Sequence, residues 1–149
     1  MINIEKNHPI NVLYLTVCSE ITNALMNNFE RMLEELQASS TWTVSPPSLI
    51  DYFEEDDESR ELVHVFGCGY ELYSSFPSWD KKLPRETDIQ QFKEVEILLA
   101  RAAEISKAES CDFEVQLNQT FVGRITPTRV DRGITEAFIG EWRKALGLP

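Results

Sequence analysis

The sequence predicts an α+β fold, and three observations carry the prediction. Two long segments space their apolar residues by threes and fours, several short segments alternate apolar with polar residues, and one pair of alternating segments is joined closely enough to be a hairpin. The expected order is α-β-β-β-α-β-β-α, a mostly antiparallel sheet with packed helices and no internal repeat. At 149 residues and 42% hydrophobic, the chain can bury roughly two thirds of its unfolded surface, so residues 1–149 are expected to form a single domain.

Residues 9–38 set Ile10, Leu13, Tyr14, Val17, Ile21, Leu25, Phe29, Met32, Leu33 and Leu36 along one face of a long helix. Val12 and Leu15 lie off that stripe. Asn11–Val17 could instead alternate as a strand, with Ser19 or Thr22 capping a shorter helix; the single helix is preferred. After Ser39 and Ser40, Thr41–Val44 alternates as a short strand that Pro46 and Pro47 stop, because proline cannot donate to a ladder. Ser48–Phe53 reads as a strand or as a helical turn opened by proline. Glu61–Phe66 and Tyr70–Phe76 read as two strands around Gly67-Cys68-Gly69, where the glycines suggest a bulge or bend.

Thr87 with Gln90 matches a capping box for a second helix, whose apolar face is Ile89, Phe92, Val95, Leu99, Ala102 and Ala103. Ile97, Leu98 and Ile105 lie at the margin of that face or beyond it, where they could meet a second copy or the N-terminal segment. Cys111–Leu117 and Thr120–Ile125 form the clearest hairpin, with a loop at Asn118–Thr120 that sets Phe113, Val115 and Leu117 on the face of Ile125, Gly123 and Phe121. Asp131 is placed to cap a final amphipathic helix bearing Ile134, Phe138, Ile139, Trp142 and Leu146.

Charge narrows the function. The net charge is −11, and Asp51–Glu61, DYFEEDDESRE, contributes −6 of it, while residues 120–149 carry +2. Such a field repels phosphate backbones, so direct nucleic-acid binding is not expected and a basic protein partner is. There is no apolar run long enough for a membrane span and no signal-peptide pattern at the start, and the three cysteines form no close-spaced pair; a reduced, cytoplasmic protein is expected.

No motif for chemistry is complete. Cys68 and His64 suggest an activated thiol, but on one strand their backbones stand about 13 Å apart. His8, His64 and the scattered cysteines lack zinc-ligand spacing, and the acidic run lacks the glycine and terminal glutamate of a calcium loop. Paired-carboxylate catalysis needs apolar walls that so charged a run does not supply. Gly67-Cys68-Gly69 is too short for a phosphate loop. No catalytic residue, metal or cofactor is expected. The acidic stretch then reads either as a solvated turn that blocks edge pairing or as a docking surface with an aromatic centre and a charged rim. The docking reading takes Asp51, Tyr52, Glu54, Glu55, Asp56, Asp57, Glu58 and Glu61 together with the flanking Tyr70, Tyr73 and Trp79 as its partner-binding residues.

In its size, its acidity and the cluster Glu54-Glu55-Asp56-Asp57-Glu58, the chain resembles the bacterial toxin-immunity proteins of contact-dependent and type VI competition systems. That resemblance implies a non-catalytic cytoplasmic protein that binds and neutralises a cognate toxin, often a basic one. The expected element order also resembles class I type III secretion chaperones, which implies a homodimer holding an extended effector segment. A monomer is favoured here. A small enzyme with a pocket of scattered residues is the third reading.

Overall fold

A computed structural model of the chain describes residues 8–39, 41–74 and 83–149. Five strands, β1 (Ile10–Val17), β2 (Ser48–Glu55), β3 (Leu62–Tyr73), β4 (Phe113–Leu117) and β5 (Thr120–Ile125), form one sheet in the order β2-β3-β1-β4-β5. All neighbours pair antiparallel. Helices α1 (Asn23–Ser39) and α2 (Arg85–Glu109), a π-helical segment (Gly133–Gly140) and α3 (Glu141–Leu146) complete an α+β architecture.

The preferred reading of residues 9–38 as one helix is corrected: the segment opens with β1, and the element order begins with a strand where the chaperone layout expects a helix. The alternation wins because β1 is the central strand, bonded to β3 on one side and β4 on the other. Leu13, Leu15 and Val17 turn into the core, and Val12, Tyr14 and Thr16 turn away from it. Thr22 then starts α1, its Oγ1 accepting the Leu25 N–H at 3.1 Å. Leu25, Phe29, Met32, Leu33 and Leu36 form the buried stripe of that helix.

Thr41–Val44 is not a strand. Its alternating residues anchor a loop instead: Trp42 Nε1 donates to the Leu36 carbonyl at 3.0 Å, and Thr43 donates to Glu94 through N–H at 3.2 Å and Oγ1 at 2.9 Å. Glu94 is 3% exposed and also accepts from Tyr70 Oη at 2.5 Å and Gln90 Nε2 at 3.1 Å, so one buried carboxylate ties α2 to β3 and to the loop. β3 runs unbroken through the Gly67-Cys68-Gly69 stretch expected to divide it. Gly67 is required there for contact rather than for bending: a Cβ would collide with the Leu15 carbonyl oxygen of β1.

The helix N-terminus differs from the expected capping box. α2 starts at Arg85 behind Pro84, so Thr87 lies inside its first turn, fully buried. Its buried face is wider than one stripe and takes in Leu98 and Ile105 as well as Phe92, Val95 and Ala102. The cause is position: α2 lies between α1, linked by Arg101–Glu35 at 2.6 Å, and α3, linked by Arg143–Glu96 at 2.6 Å and by Trp142 Nε1 donating to Asp88 Oδ1 at 2.8 Å. Leu98 and Ile105 thus serve the chain's own core, and only Ile97 of the three stays exposed.

In the β4–β5 hairpin the turn is Asn118-Gln119, with Asn118 at φ 55°. A bulge after Val115↔Gly123 sets Phe121 opposite Gln116, so Phe121 leaves the core face it was assigned and is exposed. Asp131 opens the last helical stretch with its backbone carbonyl, which accepts from Ile134 and Thr135. Its side chain does not cap. It accepts the Arg124 N–H at 2.9 Å, and that bond, with Arg129 beside it, holds the carboxyl below the ordinary aspartate range.

The buried residues of β1, β3, β4 and β5 share one face, under α1, α2 and the π-helical segment. Leu98 sits at the centre of that layer, 0% exposed. Leu98→Ala is expected to cost about 2–5 kcal/mol. Urea unfolding would show it as a lower midpoint, while sedimentation velocity would show no change of oligomeric state.

Candidate functional site

Strand lengths create the site. The β1–β3 ladder ends at Thr16↔Gly67, whereas β2 and β3 stay paired from Asp51↔Phe66 to Glu55↔Leu62. Beyond Gly67 the two strands therefore continue as a ribbon without a neighbour on the β1 side, reaching about 15 Å past the sheet. Every residue from Asp51 to Val63 is exposed.

The ribbon closes through a tight loop built by Asp56. Its Oδ2 accepts the Ser59 N–H at 3.1 Å and the Ser59 Oγ–H at 2.7 Å, its carbonyl accepts the Arg60 N–H, and its own N–H donates to Glu61. Arg60 takes the left-handed conformation that completes the turn, with φ 63°. The side-chain and backbone bonds from Ser59 lower the Asp56 pKa. Of the eight acidic-stretch residues assigned to docking, Asp56 is thus also a turn-builder.

Pleating divides the rest. Asp51, Phe53 and Glu55 face the helix side with Leu62 and His64 opposite them, while Tyr52 and Glu54 face the other way with Val63 and Val65. His64 Nε2 lies 2.6 Å from Asp51 Oδ1, and its ring stacks on Phe53 with centroids 4.4 Å apart. Arg60 approaches Glu55 at 3.9 Å. Among the described residues no cation comes within ion-pair distance of Glu54, Asp57, Glu58 or Glu61. Leu49, Tyr52, Phe53, Leu62 and Val63 are exposed on the same two strands, against Ile10, Ile97 and Phe121 elsewhere in the described residues. The ribbon therefore joins unneutralised carboxylates to exposed apolar side chains, and sequence reasoning had named Tyr52 but missed Leu49, Leu62 and Val63. The run of apolar residues on both sides of the acids was the available signal.

Two tyrosines assigned to docking lie elsewhere. Tyr70 is corrected out of the surface: it is 0% exposed, its hydroxyl is bonded to Glu94, and burial first, then that carboxylate, pushes its pKa well up. Tyr73 is half-buried at the far end of β3, against His8. A strand of this length separates it from the loop by more than about 30 Å. Trp79 and Phe76 lie outside the described residues.

Cys68 is fully buried, and burial pushes its thiol up to about 12, so no thiolate forms there near neutrality. Cys111 is buried and pushed up to about 11, again by desolvation first. Among the described residues no three His, Cys, Asp or Glu side chains gather as a metal would require. A separate apolar groove of about 320 Å³ lies between α2 and the π-helical segment, floored by Leu99, Ala103 and Ile134, far from the acidic loop in the chain order. No described helix is long and apolar enough to cross a membrane.

The chain matches no protein-family model, no curated protein and no solved structure.

Two measurements check the local chemistry. Because the folded pKa of Asp56 is depressed, the Ser59 bonds are present at neutral pH and are lost as pH falls through that lowered value. The Ser59 amide shift should titrate with a midpoint below the ordinary value of about 3.9, and Asp56→Ala should abolish the titration. A thiol reagent should label the native protein at Cys18, the exposed cysteine, with Cys68 and Cys111 reacting only after unfolding.

Proposed function

We propose that the protein is a stoichiometric, non-catalytic binder: an immunity protein that docks a cognate bacterial toxin of basic surface on the β2–β3 ribbon and so neutralises it in the cytoplasm. The observation that carries the reading is the ribbon, a projecting element whose side chains do little for the core and whose residues 51–61 hold −6 of the charge. What supports a basic partner is that four of its carboxylates lack a cation of their own among the described residues. What supports protein rather than a small ion is the apolar surface beside them, since interfaces combine apolar anchors with charged rims. A monomer fits the reading, because Leu98 and Ile105, the residues with which α2 might have met a second copy, are covered within the chain.

The test uses the partner recovered with the wild-type chain from its native host. Co-expression should restore growth of cells producing that partner. Replacing Glu54, Glu55, Asp57 and Glu58 with their amides, and sparing Asp56 so that the turn survives, should slow association at low salt by about tenfold or more and flatten its salt dependence. Stability should change little, since exposed charges are worth no more than about 0.5 kcal/mol each. Unchanged association at low ionic strength removes the ribbon from the interface. Recovery of a secreted effector that is harmless to cells overturns the immunity reading.

A further inference from the structure

Among the described residues β2 pairs with β3 alone and leaves its outer side unpaired. On its outer side every second residue turns its N–H and C=O away from the sheet, and of its eight residues only Ile50 is even half-buried. Pro46 and Pro47 precede the strand and end pairing there, so the open edge starts at Ser48. Along the helix side of this edge the residues alternate: Leu49, Asp51, Phe53, Glu55. Leu49 is 41% exposed and Phe53 62% exposed, more than a strand needs for its own packing.

A second feature runs beside the same edge. A cleft of about 190 Å³ separates β2 from α1, with Leu33 and Leu49 in its floor and Glu30 and Glu34 on its helical wall. Among the described residues neither carboxylate has a cation within ion-pair distance. Side chains of a strand added to β2 would enter this cleft on the helix side. Apolar ones would meet Leu49 and Phe53, and basic ones would meet Asp51, Glu55 and the two glutamates of α1. A second copy of this chain is a poor occupant, because edge-to-edge pairing would bring two segments of charge −6 within a Debye length of about 8 Å.

We propose that β2 accepts an extended segment of the partner as an additional strand, and that every second residue of this segment, the row it turns to the helix side, is apolar and Lys or Arg in turn, a repeat of four residues that matches Leu49, Asp51, Phe53 and Glu55. The proposal rests on the docking reading above and specifies its mode: backbone hydrogen bonds supply the pairing, and the alternating row with the cleft supplies selection.

The probe is a short acetylated peptide of the repeat Val-Thr-Lys-Thr, which alternates valine and lysine along one face of a strand, titrated into the full chain and followed by amide chemical shifts. The expected result is saturable binding with shifts concentrated on Ser48–Glu55 and on the α1 turn bearing Glu30 and Glu34, and none on β5, the opposite edge. The same peptide N-methylated throughout keeps its charges and loses its donors, and should bind roughly tenfold more weakly or worse. A peptide of equal composition with its lysines in one block should also weaken. Glu30→Lys with Glu34→Lys, the first half-buried and the second exposed on the cleft wall, should reduce affinity several-fold while circular dichroism stays unchanged. Equal binding of the N-methylated peptide, shifts confined to Asp56–Glu61, or no binding of the alternating peptide each overturn strand addition. Association of the toxin with the amide variant of the ribbon is read separately, so the docking reading stands or falls on its own measurement.

Discussion

β3 is a twelve-residue strand and β1 an eight-residue one, and their ladder accounts for seven pairs, Ile10↔Tyr73 to Thr16↔Gly67. Among the described residues β3 therefore has a strand on each side only from Gly67 to Gly69; towards Tyr73 it pairs with β1, and towards Leu62 with β2 alone. Most of the molecule's division into a buried part and a projecting part follows from this mismatch. Where β1 is present, Cys68, Tyr70 and Leu72 alternate into the core beneath the helices, and Phe66, one residue past the ladder's end, continues the row. Where it is absent there is no sheet wide enough to carry a helical layer, and a lone two-stranded ribbon is marginal unless its side chains support it. Here the Asx-type turn at Asp56 and the stacked Phe53–His64 pair supply that support locally.

Glu94 does for the covered half what these contacts do for the ribbon. Its carboxylate receives donors from Tyr70 on β3, Gln90 on its own helix and Thr43 in the loop before β2. Burying a charge is costly unless its lone pairs are met, and here they are met by elements far apart in sequence. The consequence reaches β2, because the loop pinned at Thr43 leads within five residues to the start of that strand at Ser48. An apolar residue at 94 could fill the space, but it would not fix where the loop runs.

Sequence periodicity made the α+β class, α2, the β4–β5 hairpin and the extent of the final helical stretch legible, since each has a pattern that one geometry satisfies. It misled where two geometries share a pattern. Leu13, Tyr14 and Val17 fit a helical stripe, and Leu13, Leu15 and Val17 fit a strand; only the presence of β3 and β4 on either side decides, and that is a long-range fact. Thr41–Val44 alternates, yet its Trp and Thr side chains bond to α1 and α2 instead of facing two sides of a sheet. The acidic stretch was visible as charge. Its division between two faces and a turn was not, because that depends on β2 being a strand in register with β3, and proline before Ser48 left the segment ambiguous. Tyr70 was misplaced for the related reason that nearness in sequence to the acids says nothing about which face of β3 a side chain takes.

An open edge carrying Leu49, Tyr52 and Phe53 is a hazard for a protein that must stay unaggregated, since unpaired N–H and C=O groups invite any passing strand. Charge of one sign at the same place changes what can respond. Two copies of the ribbon repel each other, an acidic or phosphate-bearing chain is repelled as well, and only a segment of opposite charge gains by approaching. The carboxylates that keep the edge from pairing with itself are thus the same ones that would select a partner. The solvated-turn reading and the docking reading of this stretch are therefore not rivals: the repulsion that protects the edge in the free protein would become attraction toward the basic segment proposed above, and the exposed apolar row would supply what charge alone lacks, a fixed register.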